Sequence, residues 1–311
     1  MSELRHPRPV GPGDGIAIVS TSSPVKPDDL ERLVAYFEGR GHPVTVMPHA
    51  AAATGYIAGP AADRAADLMA AFADPEVRLV MPAEGGEGAA TLLELLDFDA
   101  IGESGKVFVG LSDTSILANA IVAQAGLATL HGPTGHSFSR PEVDPYTEEW
   151  FWRLVSGPIA GAEVDGGSWR IPQGSGSGIT GHVAGGHLRT IRTMIGTRWM
   201  PDTRGAIFVI EEVDVTWAQI DSALTHLRLA GVLDEIAALV VGEPRGCVAG
   251  DSPDAGWDEM ILRVSGVRCP VVTGAEFGHT ARKFGLGIGC AVELDLSGER
   301  PVLRYVDDFV A

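Results

Sequence analysis

The sequence predicts an α/β protein built from a parallel-sheet domain followed by a second, mixed α/β domain. From Gly15 to Gly126, short apolar runs alternate with stretches of helical periodicity, which is typical of strands and helices in a parallel sheet. The alternation stops near Ser137 and resumes at Ile179. The length of 311 residues also favours two domains over one.

The first domain is predicted to span residues 1–136, with a sheet covered by helices on both faces. Its predicted strands are Gly15–Ser20, Pro43–Met47, a segment within Glu76–Pro82, and Lys106–Leu111. Its predicted helices are Asp28–Gly41, Ala61–Ala73, Ala89–Leu96 and Thr114–Gly126. Ligands bind beyond the carboxyl ends of strands in such sheets, so a site is expected in the loops that follow these strands.

Residues 137–178 are predicted to form a crossover between the domains, because they contain prolines, three tryptophans and the stretch GSGSG. The second domain is predicted to span residues 179–311. Its predicted helices are Leu188–Ile195 and Trp217–Ala230. Its predicted strands are Ala206–Ile210, Ala237–Val241, one near Val271–Thr273, and a terminal hairpin of Ala291–Leu296 with Pro301–Val306.

Composition narrows the class of protein and its partners. The formal net charge of −18 argues against a nucleic acid polymer or an anionic membrane as a partner, because both would repel the chain. The three scattered cysteines form neither a disulfide framework nor a zinc motif. The first fifteen residues contain no apolar core of signal-peptide length, and no run approaches the roughly 18 consecutive apolar residues of a membrane helix. We therefore expect a soluble cytoplasmic protein.

Ser112 is the first candidate for catalysis. It lies where the apolar run VFVGL meets the helical stretch that begins at Thr114. A serine on such a turn projects its hydroxyl above the sheet, next to the free backbone N–H groups of the helix. The sequence G-L-S-D-T does not match the nucleophile motif G-x-S-x-G, so a helix N-cap at Ser112 or Asp113 is an equal alternative.

The stretch AEGGEG at residues 83–88 is the second candidate. Its small residues would let backbone N–H groups approach a ligand, either as an oxyanion hole or as a phosphate site. Glu84 and Glu87 argue against phosphate because they would repel an anion. A tight turn without a ligand remains the alternative.

Glu211, Glu212 and His279 are the third group of candidates. The two glutamates end the apolar run AIFVI, and His279 follows the run VVT. A carboxylate at a strand end can orient a catalytic imidazole, and a histidine on a loop is well placed as a general base. Two solvated acids are the alternative for the glutamates. The histidine pairs HGPTGH and GHVAGGH match no standard zinc pattern, so no metal or other cofactor is expected.

The chain resembles the LD-carboxypeptidase family of serine peptidases, which also includes the microcin C immunity peptidases. The resemblance covers nearly the whole chain. It rests on the order and spacing of several motifs, among them IAIVSTSSPV, VFVGLSDTSIL, GHVAGGHLRTIRTMIGT, AIFVIEEVD, GEPRGC and FGHTARKFGLGIG.

The resemblance implies a fold and a set of site residues. The fold would be a flavodoxin-like N-terminal domain, similar to class I glutamine amidotransferases, and a C-terminal mixed α/β domain with a β-rich core. The catalytic triad would be Ser112, His279 and Glu211. The oxyanion hole would use backbone N–H groups of Gly85, Gly86 and Asp113. The resemblance also implies an interdomain cleft, a homodimer and no cofactor.

The sequence departs from the family around the substrate. The turn that often reads Arg-Gly-Gly-Tyr-Gly is here Glu84-Gly85-Gly86-Glu87-Gly88, and the family's Gly-Gly-Asn ends here in His187. The substrate-binding candidates are Glu84, Glu87, Trp169, His187 and Glu243.

Three functions remain open. The first is removal of a terminal D-alanine from a muropeptide tetrapeptide. The second is cleavage of an aminoacyl or peptidyl nucleotide, with Trp169 stacking on the base. The third is metabolite binding without catalysis, against which the retained Ser112, Glu211 and His279 argue.

Overall fold

The computed structural model describes residues 4–250 and 256–311. The strands are β1 (Gly15–Val19), β2 (Val44–Val46), β3 (Val77–Pro82), β4 (Val107–Gly110), β5 (Thr129–His131), β6 (Glu163–Asp165), β7 (Arg170–Gln173), β8 (Gly176–His187), β9 (Ile207–Glu211), β10 (Ala238–Gly242), β11 (Val271–Ala275), β12 (Leu286–Ile288), β13 (Ala291–Leu296) and β14 (Val302–Tyr305).

Helices separate most of these strands. They are α1 (Pro27–Gly39), α2 (Ala61–Ala73), α3 (Phe98–Ser104), α4 (Ser115–Ala125), α5 (Gly135–Phe138), α6 (Pro145–Ser156), α7 (Leu188–Arg192), α8 (Trp217–Leu229) and α9 (Trp257–Ser265). Two short 3-10 turns lie at Ala89–Leu92 and Ser112–Thr114. In the part of the chain that is described, none of the helices is long and apolar enough to cross a membrane.

All of these strands belong to one continuous sheet. Its main path runs β2-β1-β3-β4-β5-β12-β8-β9-β10-β11-β7. The first five strands are parallel and have the flavodoxin-like order 2-1-3-4-5. Strands β8 to β11 are parallel as well. The predicted α/β class with a largely parallel sheet is therefore confirmed.

The sheet is buried on both faces, and the strand residues divide accordingly. In β1, Ala17 and Val19 pack into one apolar cluster, while Ile16 and Ile18 pack into the cluster on the opposite face. Successive strand side chains point to opposite faces, so a strand covered on both sides is apolar at every position. This explains why the predicted strands of the first half are continuous apolar runs.

Strand β12 joins the two halves of the sheet. It pairs antiparallel with β5 and parallel with β8, and it follows the loop after β11. A smaller antiparallel group branches from β8, where β13 pairs with β8, β14 with β13, and β6 with β14. The predicted terminal hairpin is the β13–β14 pair.

The segment 137–178 is more regular than the crossover we expected. It contains the helix α6 and the strands β6 and β7, and part of GSGSG already belongs to β8. Buried side chains of α6, such as Trp150 and Phe151, explain the tryptophans as packing residues. The domain boundaries at residues 136 and 179 stay a prediction.

Candidate active site

The candidate site lies where the carboxyl ends of several strands meet. Ser112 follows β4, the glycine turn at residues 84–88 follows β3, and His279 follows β11. His187 and Glu211 end β8 and β9, and they are direct partners in the register of these two parallel strands. The alternation of parallel strands and helices brings these ends to one edge of the sheet.

Ser112 occupies a strained turn between β4 and α4. Its φ of 60° lies in the left-handed region, which a residue with a side chain adopts at a cost. The turn is closed by Thr114, whose hydroxyl accepts from Leu111 N (2.8 Å) and donates to Leu111 O (2.7 Å). Within the described residues the Ser112 hydroxyl caps nothing. Ser112 is therefore not an N-cap residue, and its strained strand-to-helix turn resembles a nucleophile elbow; its role as the nucleophile stays a prediction.

Glu211 and His279 form a close pair. The Nδ1 atom of His279 lies 2.6 Å from Oε2 of Glu211, and the side chain of Glu211 is 1% exposed. Burial alone raises the pKa of Glu211, but the charge and hydrogen bond of His279 outweigh it and lower the pKa to about 2. Glu211 is therefore ionised, holds the proton of His279 on Nδ1 and leaves Nε2 free.

Two glycines make room for this pair. A Cβ on Gly278, whose φ is 81°, would lie 2.4 Å from Cγ of Glu211, and one on Gly242 would lie 2.9 Å from its Cβ. The glycine that precedes His279 is therefore required for the buried carboxylate to reach the imidazole.

His187 and Glu212 form a second buried pair behind the first. The His187 ring lies 5.4 Å from the His279 ring. Its Nε2 is 2.8 Å from Glu212 Oε1 and its Nδ1 is 2.8 Å from Thr190 Oγ1. Burial lowers the pKa of His187, but Glu212 and Glu211 outweigh this effect and raise it. His187 thus supports the site from within and does not line the cavity.

His187, Glu211 and His279 also place ligand atoms within 4.8 Å of one another, as a metal site would require. Both nitrogens of His187 already have partners, and Oε2 of Glu211 is bonded to His279. We interpret the group as a hydrogen-bond network, because a metal would compete with each of these bonds.

Backbone N–H groups converge near Ser112. A Cβ on Gly85 would meet Cβ of Ser112 at 2.8 Å, so the glycine turn passes directly over the serine. Gly85 N donates to Oε1 of Glu84 (3.2 Å), whereas the amides of Gly86 and Asp113 donate no hydrogen bond within residues 4–250 and 256–311. The Asp113 carboxylate accepts from Ala89 N (2.7 Å) and so ties the glycine turn to the elbow.

A cavity of about 740 Å³ opens above these groups. Ser112, His279, Glu84, Gly85 and Gly86 line it. The remaining wall comes from four segments: residues 134–147 beyond β5, Val213 and Asp214 after β9, Arg245 after β10, and residues 280–283 after His279. The segment we predicted as a crossover therefore supplies much of the cavity wall.

The charge of Glu84 is compensated inside this cavity. Its Oε2 lies 3.0 Å from Nδ1 of His136, and Nε2 of His136 lies 2.7 Å from the Arg140 guanidinium. Because arginine only donates hydrogen bonds, His136 carries its proton on Nδ1 and links the carboxylate to the cation. The sequence alone suggested that Glu84 would repel an anionic substrate, and this chain of contacts weakens that effect.

The other substrate-binding candidates lie outside the cavity. Glu87 and Glu243 are exposed, and neither lines it. Trp169 is 4% exposed and stacks on Phe284 at a centroid distance of 5.5 Å, so it is a core residue. Phe284 lies in the loop before β12, far from Trp169 in sequence, so the sequence around Trp169 did not reveal this burial.

Several cavity residues were not identified from the sequence. Lys283, Arg245 and Arg140 bring cations to the cavity. The motif FGHTARKFG contains Lys283, and a search for basic residues beside the predicted histidine would have found it. His131, from the histidine pair HGPTGH, is buried at the end of β5 and does not line the cavity. Burial lowers the pKa of His131 to about 4, so its imidazole is neutral.

Comparisons with known proteins identify the family of this chain. The chain matches the model of the LD-carboxypeptidase N-terminal domain over residues 16–132 and that of the C-terminal domain over residues 180–294. The protein named "Putative carboxypeptidase SCO6489" from Streptomyces coelicolor is 32% identical over 97% of this chain and 99% of its own length. The microcin C7 self-immunity protein of Escherichia coli is 25% identical over 94% and 93%.

Solved structures show the same fold. A muramoyltetrapeptide carboxypeptidase from Oxalobacter formigenes superposes with a TM-score of 0.85 at 27% identity, covering 96% of this chain and 100% of the other. The microcin C7 self-immunity protein in complex with aspartyl sulfamoyl adenosine superposes with a TM-score of 0.88 at 23% identity, covering 98% and 99%. Both halves of the chain thus match in sequence and in fold, and the protein belongs to the LD-carboxypeptidase family.

Proposed function

We propose that this protein hydrolyses an amide bond through Ser112, His279 and Glu211, and that it acts as an LD-carboxypeptidase on muropeptide tetrapeptides. The observation that carries the proposal is the 2.6 Å contact between His279 and the buried, ionised Glu211, with His279 and the strained Ser112 facing one cavity. A serine, a histidine and a carboxylate in these roles form an acyl-transfer triad.

The proposed reaction proceeds through an acyl-enzyme. Ser112 Oγ attacks the carbonyl carbon while Nε2 of His279 takes its proton, and Glu211 stabilises the imidazolium. The developing oxyanion would be held by the N–H groups of Gly86 and Asp113, which have no other acceptor in the described chain. His279 then protonates the leaving amine. In the second half of the reaction, His279 takes a proton from a water molecule, which attacks the acyl-enzyme and releases the acyl group from Ser112. Ser112 and His279 are not hydrogen-bonded in the structure, and we propose that the substrate brings them together.

Two features support a peptide that carries a free carboxylate as the substrate. The Oxalobacter relative is named a muramoyltetrapeptide carboxypeptidase. The cavity also contains Lys283, Arg245 and Arg140, while Glu84 is engaged with His136. These residues would tolerate the terminal D-alanine carboxylate of a tetrapeptide. We further propose that the enzyme is a cytoplasmic homodimer, as the family resemblance implies.

Cleavage of an aminoacyl nucleotide is the second candidate. The similarity to the microcin C7 self-immunity protein favours it, since that protein is described in complex with aspartyl sulfamoyl adenosine. The burial of Trp169 removes the aromatic residue that we expected to stack on the base.

A parallel assay tests the proposal. The protein is incubated with a muropeptide tetrapeptide and, separately, with an aminoacyl sulfamoyl adenosine, and products are identified by mass spectrometry. We expect loss of D-alanine from the tetrapeptide and no product with Ser112→Ala. Labelling of Ser112 by a fluorophosphonate probe gives an independent measure of the nucleophile. If the folded protein is not labelled by the probe and cleaves neither compound, only the metabolite-binding alternative is left.

A further inference from the structure

Lys283 is a buried cation for which the described residues supply no partner. It is 7% exposed and lines the cavity, and no hydrogen bond or ion pair of its Nζ occurs within the described ranges. Lys106 is buried to a similar extent, but its Nζ donates to the carbonyl oxygens of Ala71 and Asp74 at the end of α2. A buried ammonium normally has such acceptors because losing water is costly. Lys283 instead has only the cavity to supply one.

Two arginines increase the positive charge around Lys283. Arg245 and Arg140 line the same cavity, and Arg245 donates to the carbonyl oxygen of His279 (2.9 Å). Burial, together with Arg245 and Arg140, lowers the pKa of Lys283 to about 8 against the opposing charges of Glu211 and Asp144. Three positively charged side chains thus line the same cavity, which favours the binding of an anion there.

Four acidic residues line the cavity, of which Glu142 is exposed and the other three have contacts of their own. Asp144 accepts from Thr147 N (2.9 Å) as the N-cap of α6. Glu84 is bonded to His136. The side chain of Asp214 lies against Gly246, where an added Cβ would meet its Oδ1 at 1.9 Å. None of them forms an ion pair with Lys283 in the described structure.

We propose that Lys283, assisted by Arg245, forms a subsite that binds a free carboxylate of the substrate and selects substrates that carry one. This inference rests on the proposed peptidase function and deepens it. Lys283 and His279 lie on the same loop between β11 and β12, so the bound carboxylate would lie beside the reacting bond. With a net charge of −18, the protein repels anions from most of its surface, so a local pair of cations is needed to retain one.

The experiment measures binding, so that it does not depend on turnover. Calorimetry on Ser112→Ala compares three probes. N-acetyl-L-lysyl-D-alanine carries only a terminal carboxylate, its D-alaninamide carries none, and N-acetyl-meso-diaminopimelyl-D-alaninamide carries only a side-chain carboxylate. The binding of each probe is measured again with double variants that carry Ser112→Ala together with Lys283→Met or Lys283→Arg. Lys26→Met is the matched control, because Lys26 is exposed and its loss changes the net charge equally.

We expect one carboxylate probe to bind at least about tenfold more tightly than the amide that has no carboxylate, and Lys283→Met to abolish that difference. Lys283→Arg should retain most of the preference, and Lys26→Met should retain all of it. The probe that responds identifies which carboxylate is bound. Equal binding of all three probes, or a preference that survives Lys283→Met, overturns the subsite. Fluorophosphonate labelling of Ser112 in the Lys283→Met protein separates this outcome from a failure of the peptidase proposal.

Discussion

Ser112 combines a left-handed backbone with a side chain that points into the cavity. The φ of 60° costs free energy for any residue with a Cβ, and glycine is exempt from that cost. Nothing in the composition of G-L-S-D-T indicates this conformation, because glycine or asparagine is the usual residue there. Such strain is typical of functional sites and supports the proposed role of Ser112.

The strain at Ser112 predicts an inverted order of stability for two inactive variants. Ser112→Gly should be more stable than Ser112→Ala by about 1 kcal/mol, because only alanine retains the steric cost of the left-handed backbone. Urea denaturation of both variants measures the difference. An ordinary backbone at residue 112 would make the alanine variant the more stable one.

The charge of Glu211 gives a second prediction at the scale of one residue. Glu211→Gln keeps the size of the side chain but removes the charge that stabilises the His279 imidazolium. We expect kcat to fall by about 1,000- to 10,000-fold with intact folding. Glu243→Gln, which changes an exposed glutamate outside the cavity, is the matched control. A loss of less than tenfold in Glu211→Gln would remove Glu211 from the proposed mechanism.

The ionisation of Glu211 also makes the stability of the folded protein depend on pH in the acid range. Its pKa is lowered from an ordinary 4.5 to about 2, so the folded state favours the charged form. The contribution of ionised Glu211 to the stability of the folded protein is complete above about pH 4.5 and is lost as the pH falls towards 2. Acid unfolding of the wild type should therefore contain a contribution in this interval that Glu211→Gln lacks, measured by circular dichroism as a function of pH.

At the scale of elements, the site depends on turns that follow strands. The glycine turn after β3 passes so close to Ser112 that Gly85 has no room for a methyl group. The other two turns of the site are the one at Ser112 after β4 and the loop after β11 that carries His279. The strands hold these turns in register, and the glycines allow the turns to approach one another.

We expect Gly85→Ala to lower kcat by at least about tenfold. Its Cβ would meet the Ser112 Cβ at 2.8 Å and displace the nucleophile, and an error on the order of 1 Å in position costs about 100-fold. Gly39→Ala is the matched control, because its Cβ would meet nothing within 4 Å. The rate of fluorophosphonate labelling reports the effect on Ser112 directly. Equal rates for the two variants would mean that the turn can move away without loss.

The elements also show how far the sequence could be interpreted. The predicted bounds of helix α2 match the observed ones, because the segment from Ala61 to Ala73 is rich in alanine, the strongest helix former. Strand β8 was missed because its first half is rich in glycine and exposed, and only its pairing with β13 makes it a strand. The triad candidates Ser112, Glu211 and His279 were identified from loop positions and family resemblance. Lys283 could not be identified in this way, because its burial depends on the packing of α6 against the loop after β11.

At the scale of the whole molecule, the buried charge of Lys283 couples stability to pH. Burial lowers its pKa from 10.5 to about 8, so the folded state releases this proton more readily than the unfolded chain. The wild type therefore gains stability as the pH rises from about 8 to 10.5, by up to about 3 kcal/mol at about 1.4 kcal/mol per pKa unit.

The comparison with Lys283→Met isolates this effect, because the other groups that titrate in the interval are shared. The free energy of unfolding of the variant should exceed that of the wild type by more at pH 7 than at pH 10.5. Guanidinium denaturation at several pH values measures the difference. A constant difference across the interval would mean that Lys283 is solvated in the folded protein.

The position of β12 in the sheet has a consequence for the newly made chain. The strand that bridges β5 and β8 follows the other strands of the main path in sequence, just after the loop that carries His279. Until the ribosome has made this segment, the amino-terminal half has an open edge at β5, and the proposed nucleophile Ser112 has no proposed base. The proposed hydrolysis cannot begin before β12 has been made. The same delay exposes an edge strand that chaperones, or a neighbouring nascent chain, can reach first.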